Sequence, residues 1–278
     1  MLTKMQAYFG FTTLPFSRGL AIGQLFRSAA HNEAVARITY AVHTRALAIL
    51  TGEVGAGKTV AVRAALAGLD GSRHHLTYLP NPTIGARGIH TAIVTALGGT
   101  PRFHHATLVP QTAEALATEV AERGRTPVLV IDEAHLLGHD QLEAIRMLTN
   151  SELDSASPLA CLLLGQPRLR HNMKLAVLAA LDQRITIRYT LNPMTPTETS
   201  QYLRHHTKLA GFSELRSGHG VSGGGRCPVV CRTALIRRLM PRLSMLVRAS
   251  RRLTGRPSPR LAARRSICSS PLEHGRWP

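Results

Sequence analysis

The chain has 278 residues, 44% of them apolar, with a formal net charge of +18 and an isoelectric point near 11.2. No apolar run approaches the 18 or so residues that span a bilayer, and the N-terminus carries no secretory signal pattern; a cytoplasmic protein with no membrane association is expected. The four cysteines (Cys161, Cys227, Cys231, Cys268) are too few and too scattered for a disulfide framework or a zinc site, whereas so basic a balance favours polyanionic partners, nucleic acid foremost.

In chain order, the first feature is an aromatic-Gly-Pro segment, "YFGFTTLPF" (Tyr8 to Phe16), and then a helical pattern, "HNEAVARITYAVHT", in which Ala34, Ile38, Ala41 and Val42 share a face. Leu47 to Leu50 reads as a buried strand, "GEVGAGKT" (Gly52 to Thr59) as a glycine-rich loop, and "KTVAVRAALAGL" as the helix behind it. A strand over His75 to Pro80 and a helix over Arg87 to Leu97 follow, the latter stopped by Gly98 and Gly99. Residues 112–124 read as a helix, "PVLVIDEAH" as a third strand, residues 140–150 as a helix, "LACLLLG" as a fourth strand and residues 173–183 as a short helical stretch. "RITIRYTL", starting at Arg184, makes a fifth strand, and residues 194–211 make a further helix that Thr195 or Thr197 can cap and Gly211 can end. Five apolar strands alternating with helices predict an α/β fold, a five-stranded and mainly parallel sheet covered on both faces. The organisation expected is an N-terminal segment and helix (1–45), the α/β core (46–192), the start of a helical lid (193–211) and an arginine-rich tail (212–278).

G-x-x-x-x-G-K-[ST] between a strand and a helix is a phosphate cradle: its glycines let backbone N–H groups converge, and the helix N-terminus adds its positive end. The residues expected to hold the nucleotide are Gly52, Glu53, Val54, Gly55, Ala56, Gly57, Lys58, Thr59 and Val60, with Lys58 reaching the β- and γ-phosphates. Thr59 is expected to bind Mg²⁺ through its hydroxyl. The second half of the site is "VLVIDEAH", where Asp132 stands at the carboxyl end of a strand, the edge where ligands bind in open α/β sheets. Asp132 is expected to hold the same Mg²⁺, and Glu133 to orient and deprotonate the attacking water. Together these make ATP and Mg²⁺ the expected cofactors, and hydrolysis of ATP the expected reaction. Gln166, after the fourth strand, is placed to sense the γ-phosphate or the water. Arg184 and Arg188 are candidates for an arginine that reaches a neighbouring subunit's site, Arg184 ahead of Arg188, and His135 reads as structural.

The series "YFGFTTLPF", "LTGEVGAGKT", "VLVIDEAHLL", "IRMLTN", "LLLGQPRL" and "LDQRI" resembles the AAA+ ATPases of the ExeA type and the related ATP-binding helper proteins of bacterial transposons (TniB- and IstB-like), over residues 5–210. The resemblance implies a P-loop NTPase fold, self-association through subunit contacts, Gln166 in the sensor-1 position and Arg184 in the arginine-finger position. It also places the N-terminal segment near the adenine. The family's secretion branch joins the ATPase to a membrane span and a peptidoglycan-binding region, which these residues lack. With the basic charge, that favours the other branch, an ATP-dependent double-stranded-DNA-binding helper that activates or directs a transposase. The alternative is a cytoplasmic ATPase energising secretion or envelope assembly.

The tail departs from the resemblance. Residues 1–211 carry 20 Lys/Arg against 14 Asp/Glu, a net of +6, whereas residues 212–278 carry 14 Arg against Glu214 and Glu273, a net of +12. Beyond Gly211 periodicity stops, and only 233–247, interrupted by Pro241, keeps helical spacing. Two readings fit: a basic arm that grips phosphates, or out-of-frame text beginning near Phe212, the reading favoured because composition changes at once and leaves the lid half built, with impaired hydrolysis expected.

Overall fold

The computed structural model describes residues 11–13, 16, 19–150 and 157–211, all within a unit that closes at Phe212. The tail and its two readings, the helix expected over 233–247 and most of the N-terminal aromatic segment lie outside the described residues. The helices are α1 (Ala29–His43), α2 (Lys58–Ala67), α3 (Gly85–Ala96), α4 (His105–Ala121), α5 (His139–Leu148), α6 (Pro167–Asn172), α7 (Ala179–Arg184) and α8 (Pro196–Leu209). The strands are β1 (Leu47–Gly52), β2 (His74–Leu79), β3 (Thr126–Ile131), β4 (Ala160–Gly165) and β5 (Ile185–Leu191). They form one sheet in the order β2-β3-β4-β1-β5, every pair parallel. β4 therefore lies between the phosphate-loop strand and the acidic strand, and all five carboxyl ends meet on one edge.

The period of two in each strand divides the core into two layers. Leu47 and Ile49, Leu129 and Ile131, and Cys161 and Leu163 face a cluster with Ile89, Ile93, Leu116, Leu142 and Ile145 from α3, α4 and α5. Ala48 and Leu50, Val128 and Val130, and Leu162 and Leu164 face Ala34, Ile38, Ala41, Ala61, Val62 and Ala65 from α1 and α2. Alanines on both α1 and α2 let those two helices pack close together against the sheet. Burial of the three central strands, β1, β3 and β4, on both faces explains why they read as unbroken apolar runs, whereas the edge strands β2 and β5 are partly exposed.

Several element boundaries differ from the sequence reading, and three of them bear on the packing or the site. α4 begins at His105 rather than Thr112 and carries Pro110 inside it. A proline there forfeits one backbone hydrogen bond, and the fully buried Leu108 on the same turn offsets the loss. The stretch 173–183 is not one helix: α6 starts earlier, at Pro167, and a single 3₁₀ turn, Ala176–Leu178, leads into α7. Arg184 consequently ends α7, and β5 starts one residue later, at Ile185. At α8 the choice between caps falls to Thr195. Its hydroxyl accepts from the Glu198 N–H at 3.2 Å, and the Glu198 carboxylate accepts from the Thr195 N–H at 2.9 Å.

Candidate functional site

Between β1 and α2 the chain turns through Glu53–Gly57, closed by the Ala56 N–H donating to the Glu53 carbonyl at 3.1 Å. Gly57, immediately before α2, adopts φ 93°, a left-handed conformation that a β-carbon would strain. Gly52 is constrained by space instead, since a β-carbon there would lie 2.8 Å from the Leu191 carbonyl oxygen of β5. The loop thus projects from the carboxyl edge of the sheet onto the N-terminus of α2, with Val54 64% exposed at its tip.

Lys58 is buried, and its Nζ donates to the carbonyls of Gly52 at 2.9 Å and Glu53 at 3.1 Å. Burial pulls its ammonium below the usual lysine range, against the opposing pull of Glu133, Asp132 and Glu53. A third N–H of the ammonium remains for an anion. The buried ammonium is the group at the mouth of the loop that a polyphosphate would complement.

Thr59 and Asp132 meet across the α2 face of the sheet: the Thr59 hydroxyl donates to Asp132 Oδ2 at 3.0 Å. Asp132 is also buried, and its Oδ1 accepts the Glu133 N–H at 2.8 Å. A hydroxyl that donates to a carboxylate keeps its lone pairs for a cation, and hydroxyl plus carboxylate is a hard-oxygen donor set suited to Mg²⁺. Glu133 has a left-handed backbone, φ 51°, uncommon for a residue with a β-carbon. Its half-exposed carboxylate lies 3.2 Å from Nδ1 of the nearly buried His135. His135, read as structural, thus stands beside the carboxylate expected to activate water.

The two remaining candidates lie at opposite ends of the sheet. β4 runs beside β1 with Gly165 opposite Thr51, so Gln166, one residue further on, stands level with the start of the phosphate loop. Arg184 precedes Ile185, which pairs with Leu47 at the amino end of β1. Five strand residues, about 17 Å, separate that level from Gly52, and the Arg184 guanidinium donates to the Thr149 carbonyl at 3.5 Å. Arg184 is therefore remote from its own chain's loop. Arg188 is held by Asp182, 3.0 Å from its carboxylate.

The sequence reading passed over Tyr78, whose phenol donates to Asp132 Oδ2 at 3.1 Å. The available signal was its position near the carboxyl end of the strand before the acidic one, but the pairing of β2 with β3 is a tertiary fact. It also did not foresee that Thr12 and Phe16 of the N-terminal segment meet α8 and its C-cap. Thr12 pairs with the Ala210 carbonyl through its N–H at 2.8 Å, and Phe16 lies 5.1 Å from the His206 ring and 5.9 Å from Tyr202. Phe26 meets Tyr202 and His205, while Arg63 of α2 donates to the Leu20 carbonyl at 3.1 Å.

A parallel sheet in this order, with a glycine-rich loop leading into a helix and an acidic residue at the end of the strand two positions away, defines a P-loop NTPase. Residues 41–173 match the protein-family profile described as an AAA domain, a nucleotide-binding domain class. General secretion pathway protein A of Aeromonas hydrophila is 32% identical over 242 residues, covering 82% of this chain and 44% of the relative. The chain thus spans less than half the length of that relative. Among solved structures, Cdc6p from Pyrobaculum aerophilum superposes with a TM-score of 0.54 at 19% identity, covering 73% of this chain and 53% of that one. The Aeropyrum pernix ORC1 protein, solved in complex with DNA, gives 0.54 at 16% identity over 78% of this chain and 56% of its own. At those identities the likeness is one of fold. Among the described residues no helix is long and apolar enough to cross a membrane.

Proposed function

We propose that this chain is an ExeA-type ATPase that binds and hydrolyses ATP with Mg²⁺ and couples the cycle to protein partners of a secretion or envelope-assembly system. The observation that carries the reading is the joint one: a buried Lys58 over the loop carbonyls with Thr59 and Asp132 in contact, in a chain 32% identical to a general secretion pathway protein. That relative moves the weight from transposition, which the basic charge favoured, to the alternative of secretion. Lys58 and the N-terminal end of α2 bind and orient the phosphates, while Thr59 and Asp132 are the residues that would hold Mg²⁺. When bound there, the ion would supply charge neutralisation on the polyphosphate. Glu133, released from His135, takes the proton of the attacking water. Gln166 orients the γ-phosphate side of the site. Arg184 serves the site of an adjoining subunit, which makes self-association part of the cycle.

Phosphate release from ATP by the full chain is the direct test. Wild type is expected to turn over, Lys58→Ala to lose nucleotide binding, and Glu133→Gln to bind nucleotide with turnover reduced by 10²-fold or more, the general-base contribution. Identical phosphate release by all three proteins would sink the ATPase reading. The partner is tested by co-purification: Glu133→Gln, held in its ATP state, is expected to retain secretion-system proteins that Lys58→Ala does not. The DNA-helper reading keeps one supporting observation, the net charge of +18. It predicts duplex binding that rises with ATP, a difference from which the tail's fixed charge, equal in both states, cancels.

A further inference from the structure

We propose that Tyr78 is a positioning residue for Mg²⁺, its phenol fixing the Asp132 carboxylate in the orientation that receives the ion; the proposal rests on the nucleotide-site reading above. β2 lies beside β3 with Tyr78 opposite Val130. Asp132 stands two residues beyond Val130 and so on the same side of the chain, a diagonal neighbour within reach of an aromatic side chain. That is the face covered by α2, from which Thr59 approaches. Tyr78 and Thr59 therefore converge on one oxygen, Oδ2, at 3.1 and 3.0 Å, while Oδ1 takes the Glu133 N–H at 2.8 Å.

An ionised carboxylate offers about four acceptor positions. Three are occupied by these donors, which fixes the rotation of the group and leaves one position, on Oδ1, for water or the metal shell. Tyr78 does little else: the residue is 44% exposed and its neighbour on the same face, Leu76, is 47% exposed, so the ring is not a core residue. Groups that orient a ligating carboxylate typically change metal affinity by 10- to 100-fold when removed.

The test is Mg²⁺-dependent nucleotide binding, read by calorimetry on the full chain, which does not depend on turnover. Tyr78→Phe keeps the ring and deletes only the hydroxyl. It is expected to leave nucleotide affinity in EDTA unchanged and to raise the Mg²⁺ concentration at half-effect by 10- to 100-fold. On an Asp132→Asn background the same change is expected to have no further effect, because the phenol acts through that carboxylate. A Mg²⁺ titration of Tyr78→Phe that superimposes on wild type overturns this proposal and leaves the nucleotide site standing. Equal losses with and without Mg²⁺ also overturn it, since they mark a general structural role. No nucleotide binding by wild type in either condition overturns the site reading itself, and this proposal with it.

Discussion

Lys58 shows how the site trades stability for binding. An ammonium held below its usual range by burial is a cost to folding that a bound polyphosphate would repay. Replacing it with Met, apolar and of similar length, is expected to hold or raise the melting temperature while abolishing the shift caused by ATP. A fall of about 1 kcal/mol or more, some 2–4 °C for a domain of this size, would mean that its two carbonyl contacts outweigh the burial. Gly52 makes the opposite case. Gly52→Ala would drive a methyl group to 2.8 Å from the Leu191 carbonyl and is expected to cost about 1–3 kcal/mol, measurable as a lower urea midpoint. The residues at these positions were readable from the loop pattern alone. Tyr78 was not, because its role depends on which strand lies beside the acidic one.

At the scale of elements, α8 depends on partners distant in sequence. The rings of Tyr202 and His206 meet at a tilt with centroids 4.3 Å apart, and both meet Phe16 from the N-terminal segment. Burial, and then the neighbouring His205, lower the pKa of His206 below 6.5. A histidine whose folded pKa is depressed is neutral in the folded state at a pH where the unfolded chain already takes up a proton. Its full contribution therefore holds above about 6.5, the unfolded value, and is lost as pH falls through that value toward the folded one. His31 and His90, also lowered chiefly by burial, act in the same direction. Hydrogen exchange of α8 amides is accordingly expected to speed up between pH 7 and pH 5 after correction for the intrinsic rate. His206→Phe is expected to remove part of that dependence, and equal protection at both pH values would refute the assignment. The Thr195 cap is local and was legible in sequence as one of two choices, whereas the reciprocal bond from Glu198 came from the structure. The long extension of α4 across Pro110 was not, because proline preference is local whereas burial of Leu108 is a tertiary gain.

For the whole molecule, the sheet order carries the most specific expectation. Arg184 sits at the amino end of the sheet, about 17 Å along β1 from Gly52, so any role in hydrolysis must be exerted on another copy. Arg184→Ala and Lys58→Ala are each expected to be inactive alone, and mixing them is expected to restore part of the turnover by pairing an intact loop with an intact arginine. No recovery on mixing, across a concentration series, would remove Arg184 from the site. The sequence by itself determined the strand-loop-helix phosphate cradle, the acidic strand end and the alternation of strands with helices, because each rests on local spacing: glycines where the backbone must turn, apolar runs where a strand is covered on both faces. Only the tertiary structure decided that β4 separates β1 from β3, that Tyr78 reaches Asp132 and that Arg184 lies far from its own loop. Those are outcomes of strand order and register, which follow from how the two apolar faces of the sheet are buried together and which no local run of residues encodes.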